Sequence, residues 1–437
     1  MLLNFKIKNY KSFYDTADFS MTPAPKQTGL DYSIQTEKIG AKKYRGLSSA
    51  VIYGPNASGK TNLIGAMETM RAIILRGNIK DADTFSSPNQ AAHILELIPN
   101  CDAKDAPVGF SIQFIEQGMV FEYSFSAMLG NFLDKDYKRI VIDEALRINE
   151  KLVFSRNLEG LHLDIPSSIK KYVNPTFSKN MEAAYDIALN SLSDEELFLC
   201  NGFKSVFSKE LFSIIINWFE KQLIVIYRAD AVVTRKKFSD SAEHSMYVEK
   251  TLTEAAKEFG ITANALGYAK QGEEWVLCSL LKDKKIAIPA DDFESYGTIR
   301  FVNEFPLIIR ALLQGATLVM DEFDASIHPM ALMSIINIFH NDEINKNHAQ
   351  LIFNTHNPIF LDASLFRRDE IKFVERDEET NYSVHYALSD FKTANGVRKG
   401  EDYMNNYFVN RYGAIREVDF SPILKKLVEA QEEGENG

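Results

Sequence analysis

Residues 51–62 read Val51-Ile52-Tyr53-Gly54-Pro55-Asn56-Ala57-Ser58-Gly59-Lys60-Thr61-Asn62, an apolar run that breaks into a glycine-rich loop. The loop fits the pattern G-x-x-x-x-G-K-[ST], in which backbone amides cradle phosphate groups. A glycine-rich turn before a helix is also common in α/β proteins that bind no nucleotide. Here a strand pattern precedes the loop and a helical pattern follows it, which is the context that the motif requires. The stretch therefore predicts a nucleotide-binding P-loop.

Each residue type in this loop has a physical reason for its place. Glycines at positions 54 and 59 accept backbone angles closed to other residues and let a ligand approach. The amides of residues 57–61 are expected to form an anion-binding concavity at a helix N-terminus, where the helix dipole also favours phosphate. Lys60 would reach the β- and γ-phosphates, and the Thr61 hydroxyl would bind Mg²⁺. The predicted nucleotide-binding residues are Gly54, Pro55, Asn56, Ala57, Ser58, Gly59, Lys60, Thr61 and Asn62.

Composition excludes several classes of protein. The 437-residue chain has a net charge of -11, which argues against a uniformly basic nucleic-acid coat. Its three cysteines are scattered and form no CxxC pair, so the sequence predicts neither a zinc site nor a disulfide framework. The N-terminus lacks a secretory pattern, and no apolar run approaches the length of a membrane span. We therefore expect a cytoplasmic protein in a reducing compartment, with no membrane partner.

Two basic clusters could still form a local nucleic-acid surface. Charge runs are usually solvated faces of a protein. The alternative is a groove that follows DNA phosphates, or a docking face for an acidic protein. The sequence leaves both alternatives open. The clusters comprise Arg228, Arg235, Lys236 and Lys237 in the middle of the chain, and Lys282, Lys284 and Lys285 further on.

The periodicity of the apolar residues predicts an α/β protein with three segments. Residues 1–165 form an N-terminal lobe that holds the P-loop and an antiparallel sheet. Residues 166–265 have mainly helical patterns and are predicted to be an insertion, although 223–227 resemble a strand. Residues 266–437 form a C-terminal lobe that becomes strongly α/β after Ser295. The predicted fold class is a P-loop head with a mixed sheet, an antiparallel β lobe and a largely helical insertion.

Local patterns give finer predictions within the first lobe. Alternation predicts a strand over Leu2–Tyr10 and a second strand near Ala17–Met21. Apolar spacing predicts that the P-loop helix runs over Asn62–Leu75. Between Val108 and Leu163 the period is mostly two, with glycine-containing turns between several of the runs, which indicates a sheet of hairpins.

A second acidic motif lies far along the chain at Thr317-Leu318-Val319-Met320-Asp321-Glu322. Its apolar run is typical of a buried parallel strand, and the carboxyl end of such a strand is where an open α/β sheet places its ligand. Asp321 is expected to hold Mg²⁺ through water. Glu322 is expected to orient or deprotonate an attacking water. Many strands end in Asp-Glu, so the motif gains its meaning from the P-loop upstream.

Two further segments carry candidate site residues. Ser295 can cap a helix that runs to about Leu313, and Gly297 would let its backbone come close to phosphate, which makes a second anion site. Taken alone, this is an ordinary helix cap. The stretch Gln350-Leu351-Ile352-Phe353-Asn354-Thr355-His356-Asn357-Pro358 predicts another buried strand, which ends in His356, one strand-helix unit after Glu322. A lone histidine at a strand end is more often structural than catalytic.

The order of these motifs resembles the ABC-type ATPase family, including its SMC, Rad50 and RecF branch. The family has a P-loop, a signature Ser-x-Gly, Walker B acids, a D-loop and a switch histidine in that order. The resemblance implies ATP and Mg²⁺ as ligands and Lys60, Glu322 and His356 as catalytic residues. It also implies a homodimer or higher homo-oligomer, because the signature of one protomer closes on the nucleotide of the other. The family's Q-loop glutamine has two candidates here, Gln113 and Gln90.

A closer resemblance is to the bacterial anti-phage ATPases of the Rlo, AbiL and PARIS systems. It rests on several segments. They are Phe5–Phe13, the P-loop, Glu294–Thr298, Ser326–Pro329, Asn354–Pro358 and Asn410–Ile415.

This closer resemblance implies an ATPase sensor or scaffold that controls a separate effector, often a TOPRIM nuclease, and that responds to a phage protein. The pair Asp81 and Asp83 lacks the preceding strand and glutamate of a TOPRIM site, so no nuclease activity is expected from this chain. Two alternatives remain open. One is a DNA-repair clamp like RecF or Rad50, and the other is an ATP-bound scaffold with negligible turnover.

Overall fold

A computed structural model describes residues 1–25, 27–80, 98–130, 138–175, 177, 185–186, 190, 192–227, 246–260, 264–272, 274–281, 286–325, 327–391, 400–416, 419–426 and 429. The strands are β1 Leu2–Lys8, β2 Ala17–Ser20, β3 Ile34–Ile39, β4 Lys42–Leu47, β5 Ser49–Tyr53, β6 Val108–Glu116, β7 Met119–Met128, β8 Ile140–Ile148, β9 Lys151–Asn157, β10 Gly160–Leu163, β11 Leu223–Ile226, β12 Met246–Val248, β13 Ala265–Gln271, β14 Glu274–Leu281, β15 Ile286–Pro289, β16 Thr317–Met320, β17 Gln350–Asn354, β18 Ile371–Arg376 and β19 Ser383–Ala387. The α-helices are α1 Lys60–Arg76, α2 Phe198–Asn201, α3 Phe203–Val206, α4 Lys209–Asn217, α5 Lys250–Glu258, α6 Ala290–Phe293, α7 Tyr296–Gln314, α8 Pro329–His340 and α9 Tyr403–Phe408.

A six-stranded sheet in the order β11-β16-β17-β5-β18-β19 forms the centre of the molecule. Neighbouring strands from β11 to β18 run parallel, and β19 is antiparallel at one edge. Every residue of β5, β16 and β17 is buried, as expected for parallel strands covered on both faces. The strand predicted at Thr317–Met320 is confirmed, and the strand predicted from Gln350 to His356 is confirmed with an earlier end, at Asn354. Because these strands are parallel, their carboxyl ends meet at one edge, and the P-loop follows β5 there.

An antiparallel sheet of seven strands, in the order β10-β9-β8-β7-β6-β1-β2, packs beside the central sheet. Its alternating burial confirms the hairpins predicted between Val108 and Leu163. Its apolar side chains form one core with α1, α2, α3 and α4. Within that core the rings of Phe114 and Trp218 stack with their centroids 3.9 Å apart. Through β1 and α1, this core fixes both the turn after β1 and the helix after the P-loop.

Two smaller sheets complete the fold. The order β12-β13-β14-β15 forms a four-stranded sheet, and β3 and β4 form a hairpin. The strands β3 and β4 were not predicted from the sequence. Residues 34–47 are rich in lysine and exposed polar side chains, and they lack a clear apolar alternation. None of the described helices combines the length and the apolar content that a bilayer crossing needs.

The segment 166–265, predicted to be mainly helical, contains two strands in the described structure, β11 and β12, and β12 belongs to the four-stranded sheet. The strand β11 pairs with β16 at the edge of the central sheet, so this part of the segment belongs to the main sheet. Its apolar Leu223-Ile224-Val225-Ile226 run explains the placement, since a parallel strand needs such a run. Several predicted features lie outside the described residues. These are the basic residues Arg228, Arg235, Lys236, Lys237, Lys282, Lys284 and Lys285, the acids Asp81 and Asp83, and also Gln90 and Ser326.

Candidate nucleotide-binding site

The P-loop connects the carboxyl end of β5 to α1, as the sequence predicts. Gly54 has φ 157° and Gly59 has φ 112°, and both lie where no side chain fits. A Cβ atom at Gly54 would overlap the backbone oxygen of Val374 on β18. A Cβ atom at Gly59 would overlap the hydroxyl of Ser383 on β19. The two glycines are therefore required by neighbouring strands as well as by the turn itself.

Hydroxyl groups from distant parts of the chain hold the loop in place. Ser383 Oγ donates to the backbone oxygen of Ser58, and its distance to Ser12 Oγ is 2.7 Å. Asn62 Nδ2 donates to Ser12 Oγ at 2.7 Å. The loop is thus tied both to the turn after β1 and to β19. This support keeps the loop's amides oriented before any ligand arrives, which favours anion binding.

Lys60 is only 5% exposed and lies inside the loop. Its Nζ donates to the backbone oxygens of Gly54 at 2.7 Å and Pro55 at 3.1 Å. Burial lowers the pKa of Lys60 to about 8, although the nearby acids, with Asp321 the strongest, act in the opposite direction. Phosphate oxygens would be stronger acceptors for this ammonium group than two neutral carbonyls.

The two Walker B acids meet the P-loop through a hydrogen-bonded network. Asp321 Oδ1 accepts from the Thr61 hydroxyl at 3.1 Å and from Asn354 Nδ2 at 2.5 Å. The Asn354 side-chain oxygen accepts from the backbone N–H of Glu322. Asn354, which ends β17 and is 1% exposed, therefore fixes both acids. The structure brings together the two residues predicted to bind the metal, Thr61 and Asp321.

These two oxygen donors fit Mg²⁺, which keeps several waters and takes its remaining ligands from substrate phosphates. Among the described residues, no group of three or more histidine, cysteine, aspartate or glutamate side chains is placed to hold a metal ion. A self-contained protein site for a metal is therefore not part of the described structure. A bound Mg²⁺ would neutralise phosphate charge while Thr61 and Asp321 hold it.

A cavity of about 320 Å³ opens along the loop at this edge. Glu322 is exposed there, with its backbone in the left-handed region at φ 51°. His356 lies on the same wall, and partial burial together with the charge of Lys60 lowers its pKa. The imidazole is therefore neutral at pH 7. The cavity is lined by Asn56, Ala57, Ser58, Gly59, Lys60, Thr61, Asn62, Glu322, Asn354, His356 and Arg376.

The predicted signature lies apart from this cavity. Ser295 caps α7, with its Oγ accepting from the backbone N–H of Thr298 at 3.2 Å, as the sequence predicts. Ser295 is exposed and Gly297 is buried, and neither lines the cavity of its own chain. Further along α7, Arg300 donates to the backbone oxygen of Glu322. The helix that carries the predicted signature is thus connected to Glu322 inside one chain.

Sequence reasoning missed three residues that surround this site. Asn354 and Arg376 are each the last residue of a strand at the P-loop edge. A polar residue at the end of an apolar strand run is a signal that could have identified them. Arg300 offered no such signal, since a helical arginine is usually solvated, whereas this one is 6% exposed and paired with Glu304 at 2.7 Å. The Q-loop candidate Gln113 lies within β6, opposite Asn4 and Glu122. It does not line the cavity, so the geometry gives this assignment no support.

Fold and site together define a P-loop ATPase domain with the motif order of ABC-type proteins. The sequence model of one family, described as AAA domain, putative AbiEii toxin, Type IV TA system, matches residues 49–362. This match covers most of the chain and includes the P-loop, the Walker B acids and His356. The chain therefore belongs to this AAA family, whose description places it in the context of abortive infection and toxin–antitoxin systems. No curated protein matches the chain.

Proposed function

We propose that this protein is an Mg²⁺-dependent ATPase that binds ATP along the P-loop edge of the central sheet. The observation that carries the proposal is the network in which Thr61, Asp321, Asn354 and Glu322 join the P-loop to the Walker B acids. The amides of the loop and Lys60 would hold the phosphates. Thr61 and Asp321 would hold the metal ion, which neutralises charge on the transferred phosphoryl group.

The remaining cavity residues supply the roles that hydrolysis needs. Glu322 is exposed in the cavity, where its carboxylate can orient a water and accept its proton. Burial and the charge of Lys60 lower the pKa of His356 in the ligand-free protein, and the imidazole can donate one hydrogen bond to a terminal phosphate oxygen. Catalysis would then be positioning together with charge neutralisation, as in other phosphoryl transfers.

We further propose that the working form is a homodimer, or a higher oligomer, with composite sites. The signature residues Ser295 and Gly297 do not line the cavity of their own chain. Beside them, Phe293 and Tyr296 are 45% and 55% exposed, although both are aromatic. A two-fold partner would place this signature against the nucleotide held by the other copy.

In the cell, the proposed role is that of an ATP-dependent sensor or scaffold in cytoplasmic anti-phage defence. The family's association with abortive infection supports this context. The protein would control a separate effector, for which a TOPRIM nuclease is the expected class, and a phage protein would be the trigger. DNA binding is not part of this proposal, because the basic clusters that would carry it lie outside the described residues. The experiments below include a test for it.

Turnover of a Glu322→Gln variant tests the proposed chemistry. The amide cannot accept a proton from water, so the rate should fall about 10²- to 10⁴-fold while ATP still binds. A matched control is Glu258→Gln on the exposed end of α5, which should hydrolyse ATP at the wild-type rate. Retained hydrolysis in Glu322→Gln would contradict the assignment. Strong stimulation of the wild type by DNA would instead favour the repair-clamp alternative, and tight binding without turnover would favour the scaffold.

Complementation between two inactive variants tests the composite site. Lys60→Ala removes the P-loop cation, and Ser295→Arg blocks the signature. An equal mixture should recover roughly a quarter of the wild-type rate, because half of the dimers are mixed and each contains one intact composite site. No recovery in mixtures that demonstrably exchange subunits would show that each chain works alone.

A further inference from the structure

Arg376 lies at the same edge of the central sheet as the P-loop. It is the last residue of β18, which runs parallel to β5, so both strands end at this edge. On the neighbouring strand it is directly opposite Ser383. Residues directly opposite on antiparallel strands share a face, and the Ser383 hydroxyl contacts the Ser58 backbone oxygen. The side chain of Arg376 therefore emerges on the face that touches the loop, and it lines the cavity.

The guanidinium group of Arg376 has no acidic partner among the described residues. Its side chain is exposed, and within the described part of the chain it makes no hydrogen bond and no ion pair. Among the residues that line the cavity, Glu322 is the one acid, and Lys60 is the other basic side chain apart from His356. The cavity thus places two cations beside the backbone of the P-loop. A multiply charged anion would neutralise this excess of positive charge.

We propose that Arg376 binds the polyphosphate of the nucleotide, from the side of β5 opposite His356. The guanidinium group offers five donors in a planar fork that pairs with phosphate oxygens in a bidentate manner. A guanidinium can also stack on a neutral base, but only phosphate offers both the paired oxygens and the negative charge. This inference rests on the proposed function, because it assigns one more residue to the same ATP site. It makes β18, a strand distant in sequence from the P-loop, part of nucleotide recognition.

Binding of ATP, ADP and adenosine to Arg376→Ala and Arg376→Lys tests the assignment by calorimetry. Loss of a charge-assisted contact should weaken ATP binding about ten- to hundredfold and leave adenosine binding unchanged. Lysine should restore part of the affinity, since it keeps the charge and loses the fork. A matched control is Arg45→Ala on the exposed face of the β3–β4 hairpin, which should bind ATP like the wild type.

The nucleotide series separates a phosphate contact from a structural role. An equal loss for ATP, ADP and adenosine would overturn the assignment, because a contact to phosphate cannot weaken adenosine. Wild-type affinity of Arg376→Ala for ATP would overturn it as well, provided that Lys60→Ala loses ATP binding. If Lys60→Ala binds ATP as tightly as the wild type, the proposed ATP site itself is wrong and the role of Arg376 falls with it.

Discussion

The parallel strands of the central sheet have their amino ends along one side, the amino edge, and their carboxyl ends along the other, the carboxyl edge. The two edges carry similar residue types, which are buried at the amino edge and accessible at the carboxyl edge. At the amino edge, Ser49 Oγ lies 2.7 Å from His340 Nε2 and donates to Glu370 Oε1 at 2.9 Å. These three side chains are at most 2% exposed, so neither water nor a substrate reaches them. At the carboxyl edge, Glu322 and His356 open onto a cavity of about 320 Å³. A serine, a histidine and an acid in hydrogen-bond contact therefore act as a structural clamp at one edge.

The comparison shows that accessibility and a ligand-shaped cavity, more than residue type, distinguish a site from a core network. The amino-edge cluster connects β5, α8 and the start of β18, and buried polar groups of this kind must be satisfied by one another. The carboxyl edge can leave Lys60 and the acids to interact with a ligand, because the strands end there and the P-loop lines a cavity.

We expect the greatest change from a substitution that removes the acid of the amino-edge clamp. Glu370→Ala would leave the Ser49 hydroxyl and the Arg367 backbone N–H without their acceptor, and it would remove the carboxylate that lies 3.4 Å from His340 Nε2. The free energy of unfolding should fall by about 3–5 kcal/mol, while turnover per folded molecule stays unchanged. Denaturant unfolding measures the first quantity and the ATPase rate measures the second. A stable but inactive variant would mean that the amino edge takes part in catalysis.

At the carboxyl edge, Asn354→Ala should have the opposite result, with lower turnover and an unchanged free energy of unfolding. Removing the amide frees both Asp321 and Glu322, so turnover should fall about 10- to 100-fold, as with other groups that orient metal ligands. A steady-state ATPase assay checks the rate, with Asn217→Ala on the exposed face of α4 as the control. An unchanged rate would show that the acids hold their positions without this bridge.

A smaller effect comes from pH. Lys60 has a pKa of about 8 in the free protein, below its ordinary value, so it loses its proton as the pH rises above 8. Phosphate favours the charged form, and binding above that pH must therefore take up a proton. The dissociation constant for ATP should rise up to about tenfold per pH unit above 8. Calorimetry in buffers of different ionisation enthalpy detects the proton uptake, and a flat affinity from pH 7 to 9.5 would contradict the account.

The smallest expected effect concerns the connection from the signature helix. Arg300→Lys keeps a positive charge near Glu304 but loses the forked contact to the Glu322 backbone oxygen. We expect the turnover number to fall about threefold to tenfold, with ATP affinity unchanged. Pre-steady-state kinetics separate the two quantities. Weaker ATP binding with normal turnover would place Arg300 in binding instead of in the positioning of Glu322.

Much of the fold and the core of the site follow from local sequence. The P-loop, the helix after it and the buried strands before Asp321 and His356 depend on residues adjacent in the chain, so their patterns predict them. The hydrogen-bonded positions of Ser12, Ser383 and Arg300 depend on segments that meet only after folding. No local pattern encodes those contacts. For the same reason, the contact between Ser49 and His340 in the buried clamp could not be predicted from any local pattern.

Titration of the wild type, Lys60→Ala and Ser49→Ala with ATP and Mg²⁺ tests whether the nucleotide binds at the carboxyl edge. We expect the wild type and Ser49→Ala to bind ATP with equal affinity. We also expect Lys60→Ala to lose measurable binding while remaining folded by circular dichroism. Undiminished binding by Lys60→Ala, or loss of binding in a folded Ser49→Ala variant, would contradict binding of the nucleotide at this edge.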